Sequence, residues 1–195
     1  MYDPKTLNDE QLKAVECNDS HILCLAGAGT GKTHTMLNRI CRLVDVDKVN
    51  PKFILVLTFT NAAAFEMKHR YEKMMNSSCV PTFGTFHSFC YSLILHDLTI
   101  RSHLGYSAAP TVVTPMIEKQ ITAEAMQLCG IKPVAGKSAL SPKSGYEQKI
   151  FNKTFKKLLR DRNYITFDIM CYDVCQLFTD NNPIIHQYKA RYKYI

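Results

Sequence analysis

Eight consecutive residues, Ala26-Gly27-Ala28-Gly29-Thr30-Gly31-Lys32-Thr33, carry the clearest chemistry in this chain. A glycine-rich loop opening a helix turns successive backbone N–H groups inward, and the helix dipole adds partial positive charge there. Glycines permit the backbone angles and the close approach that a triphosphate requires. In such a loop Lys32 reaches the β- and γ-phosphates, and the Thr33 hydroxyl ligates Mg²⁺. The usual pattern places Gly six residues before the Lys, and here that residue is Ala26. An incidental glycine-rich turn is the competing interpretation, and the flanking strand and helix patterns oppose it.

Those flanks come from hydrophobic periodicity. His21-Ile22-Leu23-Cys24-Leu25 is an apolar run that predicts a buried strand entering the loop. Beyond it Met36, Leu37, Ile40, Leu43 and Val44 recur at helical spacing. Phe53–Phe59 predicts a second buried strand, and Asn61 is expected to cap a helix reaching Met75. A third short strand is expected at 81–86, then a helix through Phe89, Leu93 and Ile94. Strands alternating with helices predict an α/β fold, a parallel sheet with helices on both faces. After residue 100 the pattern changes: prolines at 110, 115, 133 and 142 punctuate helical segments at 116–128 and 147–161, with no strong strand between them. This predicts a helical insertion. From Phe167 a helix runs through Leu177, a turn follows at Asn181-Asn182-Pro183, and Arg191–Ile195 reads as the opening of a strand.

The chain has 195 residues, 46% apolar and 21% charged, which excludes a predominantly disordered chain. No apolar run reaches the roughly 18 residues of a membrane span, and the polar start lacks a secretory leader's apolar stretch. The eight cysteines are scattered without a C-x-x-C pair, which predicts reduced thiols and an intracellular, reducing compartment. Cys24, inside an apolar run, reads as a small buried hydrophobe. The net charge of +7 arises entirely after residue 100. Within 137–162, Lys137, Lys143, Lys149, Lys153, Lys156, Lys157, Arg160 and Arg162 face only Glu147 and Asp161. On the helix expected at 147–161, Ile150, Phe151, Phe155, Leu158 and Leu159 share one face. Lys149, Lys153, Lys156 and Arg160 stripe another. Such a stripe suits a phosphate backbone, although a solvated face that only aids solubility has the same pattern.

Five segments in order resemble the UvrD/Rep-like superfamily 1 DNA helicases. Leu7-Asn8-Asp9-Glu10-Gln11 resembles their Q-motif, and the Ala-first phosphate loop is the form that family commonly uses. Leu57-Thr58-Phe59-Thr60-Asn61-Ala62-Ala63-Ala64-Phe65-Glu66-Met67-Lys68-His69-Arg70 resembles motif Ia. Gly84-Thr85-Phe86-His87-Ser88-Phe89-Cys90 resembles the next DNA-contacting motif, and Ile165-Thr166-Phe167-Asp168 with the following helices resembles the lead into motif II. The resemblance implies a P-loop NTPase of RecA-like fold. A first part spans 1–104, a helical insertion subdomain 105–163, and a return to the motor domain 164–195, ending before the Walker B strand is complete.

The same resemblance implies ATP and Mg²⁺ as cofactors, held by Gln11, by the loop from Ala26, Gly27, Ala28, Gly29, Thr30 and Gly31 to Lys32 and Thr33, and by His34. Lys32 and Thr33 would be the catalytic groups, with Thr33 the Mg²⁺ ligand. The Gln11 amide has one donor and one acceptor edge, matching adenine N6 and N7. Phe59 and Phe86 offer π-faces to unstacked bases, while Thr58, Thr60, Asn61, Thr85 and His87 suit sugar-phosphate contact. Lys153, Lys156 and Arg160 are the expected backbone contacts of the insertion. Taken singly, Phe59, Phe86, Gln11 and His87 each fit an ordinary core or surface role. Two positions depart from the family, which usually has Lys at Ala62 and often Arg at His34.

The implied activity is an ATP-driven 3′→5′ DNA helicase or translocase, a DNA-repair type of hydrolase. Its partners would be single-stranded DNA and single-strand/duplex junctions, in the cytoplasm or, in a eukaryote, the nucleus, with no membrane. Hydrolysis also needs an acid pair and a cation for the γ-phosphate. The family places these in motif II, expected just beyond Ile195, and in a second RecA-like domain. The alternative is a truncated protein that binds ATP and DNA without activity. A P-loop kinase or GTPase is disfavoured by Gln11 and the motif Ia match. Asp168, after Ile165 and Phe167, could mimic a Walker B acid, but a helix-capping role is the expectation.

Overall fold

A computed structural model describes residues 2–131 and 145–195. Lys137, Lys143 and the prolines at 133 and 142 lie outside the described residues. The chain divides into two compact units, Met1–Phe86 with Gln187–Ile195, and His87–His186.

The first unit begins with α1 (Asp9–Glu16), capped by Asn8, and then α2 (Lys32–Asp45). Next come strand β1 (Leu55–Thr58), helix α3 (Asn61–Met75) and strand β2 (Thr82–Thr85). The two strands pair in parallel, with Thr58 opposite Thr85. On the other side of β1, Ile54 forms a parallel bridge with Tyr194, and the Leu55 N–H donates to the Tyr194 carbonyl at 2.8 Å. The expected strand opening at the end of the chain is therefore present as a bridge. Leu37, Ile40 and Cys41 of α2 close against Ile54 and Val56 and against Met67 and Tyr71 of α3. Burial pushes the Cys41 thiol up to about 11 and raises the Tyr71 phenol further.

Two expectations change here. The run 21–25 is not in a strand: Leu23 and Leu25 are 84% and 88% exposed, and Cys24 is exposed with them. Its residue types favour a buried strand, but ladder partners make a strand, and none pairs with it among the described residues. The α3 cap is Thr60, whose Oγ1 accepts the Ala63 N–H at 3.2 Å, so Asn61 is the first helical residue.

Helix α4 (Phe86–His96) begins at the last residue of the first segment and continues into the second unit, where α5 (Leu98–His103) precedes strand β3 (Thr111–Val112) and α6 (Pro115–Leu128). After them come α7 (Gly145–Asp161), β4 (Tyr164–Ile165) and α8 (Phe167–Thr179). Helix α9 (His186–Arg191) leads back to the first unit. Flanking the helical segments α6 and α7, β3 and β4 form a two-residue parallel pair. Two apolar clusters fill this unit: Val113, Ile121 and Leu159, and Ala125, Met126 and Phe151. The predicted apolar face of α7 thus packs inward through Phe151 and Leu159, while Ile150 stays exposed. All eight cysteines are free, and burial raises the Cys90 thiol to about 12. No helix among the described residues is long and apolar enough to cross a membrane.

Candidate nucleotide and nucleic-acid site

The phosphate loop takes the conformation that its glycines permit. Gly29 and Gly31 have φ of 77° and 83°, the left-handed region that side chains resist. Gly31 caps α2, so the helix starts at Lys32 and its first turn presents unpaired backbone N–H groups at the loop. The Lys32 ammonium folds back onto the loop, donating to the Ala26 carbonyl at 3.2 Å and the Gly27 carbonyl at 2.6 Å. Thr30 Oγ1 donates to the same Gly27 carbonyl at 2.9 Å. Thr33 is exposed at the start of α2, where its hydroxyl is suited to a cation carried in on phosphates. Among the described residues no three His, Cys, Asp or Glu side chains cluster.

Gln11 is brought to this loop by the cap of α1. Its Oε1 accepts the Asn8 N–H at 3.1 Å, and its own N–H donates to Asn8 Oδ1 at 2.9 Å, a reciprocal cap on α1. Its Nε2 donates to the Thr30 carbonyl at 3.0 Å, which ties α1 to the phosphate loop. At the other end of α1, Arg39 Nη1 donates to the carbonyls of Ala14, Val15 and Cys17 at 3.2, 3.1 and 2.8 Å. The Asn8–Gln11 spacing is a capping-box signal that was available in the sequence. Nothing local marks Arg39. His34 stands beside these groups, its Nε2 3.3 Å from the Thr6 carbonyl.

The expected nucleic-acid residues fall into two sets. Within the first unit, the register that sets Thr58 against Thr85 releases Phe59 and Phe86 at the same level from adjacent strand ends. Both rings are open to solvent, Phe59 at 91% and Phe86 at 58% exposure. Thr58 Oγ1 donates to the Thr60 carbonyl at 2.9 Å and Asn61 is exposed, whereas Thr85 is buried. Within the second unit, the His87 ring meets Phe167 edge-on at 5.1 Å. The cationic stripe divides. Lys149 and Lys153 are exposed, but Lys156 and Arg160 close on the buried carboxylate of Asp173 in α8, at 2.7 and 3.3 Å. Lys156 also lies over the Tyr172 ring, 4.5 Å from its centre. Asp173, distant in sequence, gave no sign of this role. Asp168 is an exposed first-turn acid of α8, favoured by the dipole. The cap is Thr166, not Asp168, with Oγ1 accepting the Ile169 N–H at 3.2 Å.

Comparison with known proteins agrees with these motifs. A "Probable DNA helicase II homolog" from Mycoplasma capricolum is 30% identical over 216 residues, covering 97% of this chain and 30% of the relative. "ATP-dependent DNA helicase PcrA" from Staphylococcus epidermidis is 36% identical over 124 residues, 63% of this chain and 17% of that protein. PcrA from Staphylococcus aureus is 34% identical over 122 residues, 62% and 16% of the two chains. The chain thus spans less than a third of the length of these curated relatives. The model of the UvrD/REP helicase N-terminal domain matches residues 7–128, from the Q-motif segment through α6, and the chain belongs to that family.

Proposed function

We propose that these residues form the ATP-binding part of the first motor domain of a 3′→5′ DNA helicase or translocase. In this reading residues 1–104 and 164–195 belong to a RecA-like domain with helices on both faces of its sheet, and residues 105–163 are its helical insertion. ATP binds with Mg²⁺ on the loop 26–33, with Lys32 on the β/γ-phosphates and Thr33 on the cation. Single-stranded DNA and junctions with duplex contact Thr58, Phe59, Thr60, Asn61 and Phe86 in the first unit, where Thr85 is buried and does not reach the strand; His87 and, on the backbone, Lys153 are the candidate contacts of the second unit. Motif II acids and a second domain's cation belong to the full-length enzyme. The 195 residues alone therefore bind ATP without useful turnover. An intracellular site, cytoplasmic or nuclear, suits such a motor.

The observation that carries this reading is the coupling of Gln11 to the phosphate loop. A side chain able to pair with adenine holds the Thr30 carbonyl, in the loop where phosphates would sit. Both edges of its amide are occupied, so adenine is read by exchange: the base takes over the bonds to Thr30 and Asn8. Calorimetry with Mg-ATP tests the assignment. Lys32→Ala should weaken ATP about tenfold or more, the loss of a charge-assisted contact, without unfolding an exposed loop. Equal affinity in the variant would sink the nucleotide site, and GTP binding as tight as ATP would remove the adenine role of Gln11.

A further inference from the structure

Two helices of the second unit, far apart in sequence, bring a pair of thiols together. Cys90 lies on α4, and Cys171 lies on α8 with Cys175 one turn beyond it. The helices touch where the His87 ring meets Phe167 edge-on at 5.1 Å. Three residues further along α4 is Cys90, and four further along α8 is Cys171, about one helical turn in each case. That packing carries one sulfur to the other, and the Cys90 thiol donates a hydrogen bond to the Cys171 sulfur. Exposure rises outward: Cys90 is buried, Cys171 half-buried and Cys175 exposed. Two thiols do not complete a metal's coordination shell, so chemistry between the sulfurs is what this pair can do.

We propose that Cys90 and Cys171 form a reversible intrachain disulfide, a redox switch that ties α4 to α8 when the protein meets a peroxide. The inference needs neither nucleotide nor DNA. Burial raises both thiols, but the hydrogen bond from Cys90 favours the thiolate at Cys171. Cys171 is also the more accessible of the two, so it reacts first. Its thiolate attacks one oxygen of hydrogen peroxide; the S–O bond forms, the O–O bond breaks, and the sulfur becomes a sulfenic acid. The Cys90 sulfur, already in contact, then attacks the Cys171 sulfur. The S–S bond forms, the S–O bond breaks, and the departing hydroxide takes the Cys90 proton and leaves as water. Each sulfur is oxidised by one electron, and the peroxide is reduced to two waters. Burial keeps the thiolate scarce, so the reaction is slow, and the pair rests as thiols wherever glutathione holds cysteines reduced.

Hydrogen peroxide treatment of the 195-residue protein tests this. Remaining thiols are blocked with N-ethylmaleimide in denaturant, and unreduced peptides are mapped by mass spectrometry. The expected product is a monomer with Cys90 joined to Cys171, reversed by dithiothreitol, formed equally in Cys175→Ser and absent from Cys171→Ser. The bond should raise the melting midpoint by about 4 °C or more, a shift that Cys171→Ser does not show. Mapping the wild-type chain keeps the test valid even where a variant folds poorly. Linkage of Cys171 to Cys175, or dimers joined through exposed thiols with Cys90 still alkylated, would overturn the pairing. A Cys90–Cys171 bond that leaves the midpoint unmoved would overturn its role as a switch.

Discussion

Gly31→Ala isolates the contact that ties Gln11 to the glycine-rich loop. Gly31 sits at φ 83°, and a Cβ there would lie 2.9 Å from Gln11 Nε2 and 4.0 Å from the His34 Cβ. The left-handed backbone costs a non-glycine residue about 1–2 kcal/mol. Displacing the Gln11 amide forfeits its bond to Thr30, about 0.5–1.5 kcal/mol more. The expected loss is about 1.5–3.5 kcal/mol, which for a chain of this size lowers the thermal midpoint by about 3–14 °C. The two contributions separate in a double-mutant cycle. With Gln11→Ala as the background, the alanine at position 31 no longer meets the amide, so its cost should shrink to the backbone component alone. Melting of the four proteins by circular dichroism supplies the numbers. Strict additivity would show that Gln11 does not pack on the loop, and an unchanged midpoint in Gly31→Ala would refute the left-handed cap itself.

The divided stripe on α7 predicts unequal cations. Lys153→Gln should flatten the log–log salt dependence of oligo(dT) binding by about 0.7. Lys156→Gln and Arg160→Gln should act chiefly on stability, because both cations already serve Asp173; equal slopes changes for all three would return them to one free stripe. At alkaline pH, the thiols of Cys41 and Cys90 and the Tyr106 phenol ionise less readily in the fold than in the unfolded chain, at about 11, 12 and 12 against 9.0, 9.0 and 10.0. Their contribution to stability is whole below pH 9 and is lost as pH rises towards 12. Urea midpoints measured at pH 8, 9.5 and 11 should fall across that series, and a flat series would contradict the burial of these groups.

Local sequence determined the parts of this protein whose causes are local. The glycines of 27–31 permit the left-handed turn that opens α2 at Lys32, and α2, α3, α6 and α7 follow from apolar spacing. β1 and β2 also formed at the positions their apolar and β-branched residues indicate, because each found the other as a ladder partner. Residues 21–25 have the same character and no such partner among the described residues, and they are exposed. A strand is a property of a pair, and residue type specifies only half of it. The same reason divides the basic helix. Spacing placed Lys153, Lys156 and Arg160 along one helix, but only the packing of α8 set Asp173 beneath two of them, and a buried carboxylate draws whichever cations reach it. The sequence marked Gln11 as a candidate adenine contact through its resemblance to the Q-motif. That its amide spans Asn8 and Thr30, and so joins α1 to the phosphate loop, was decided by contacts between elements separated in sequence.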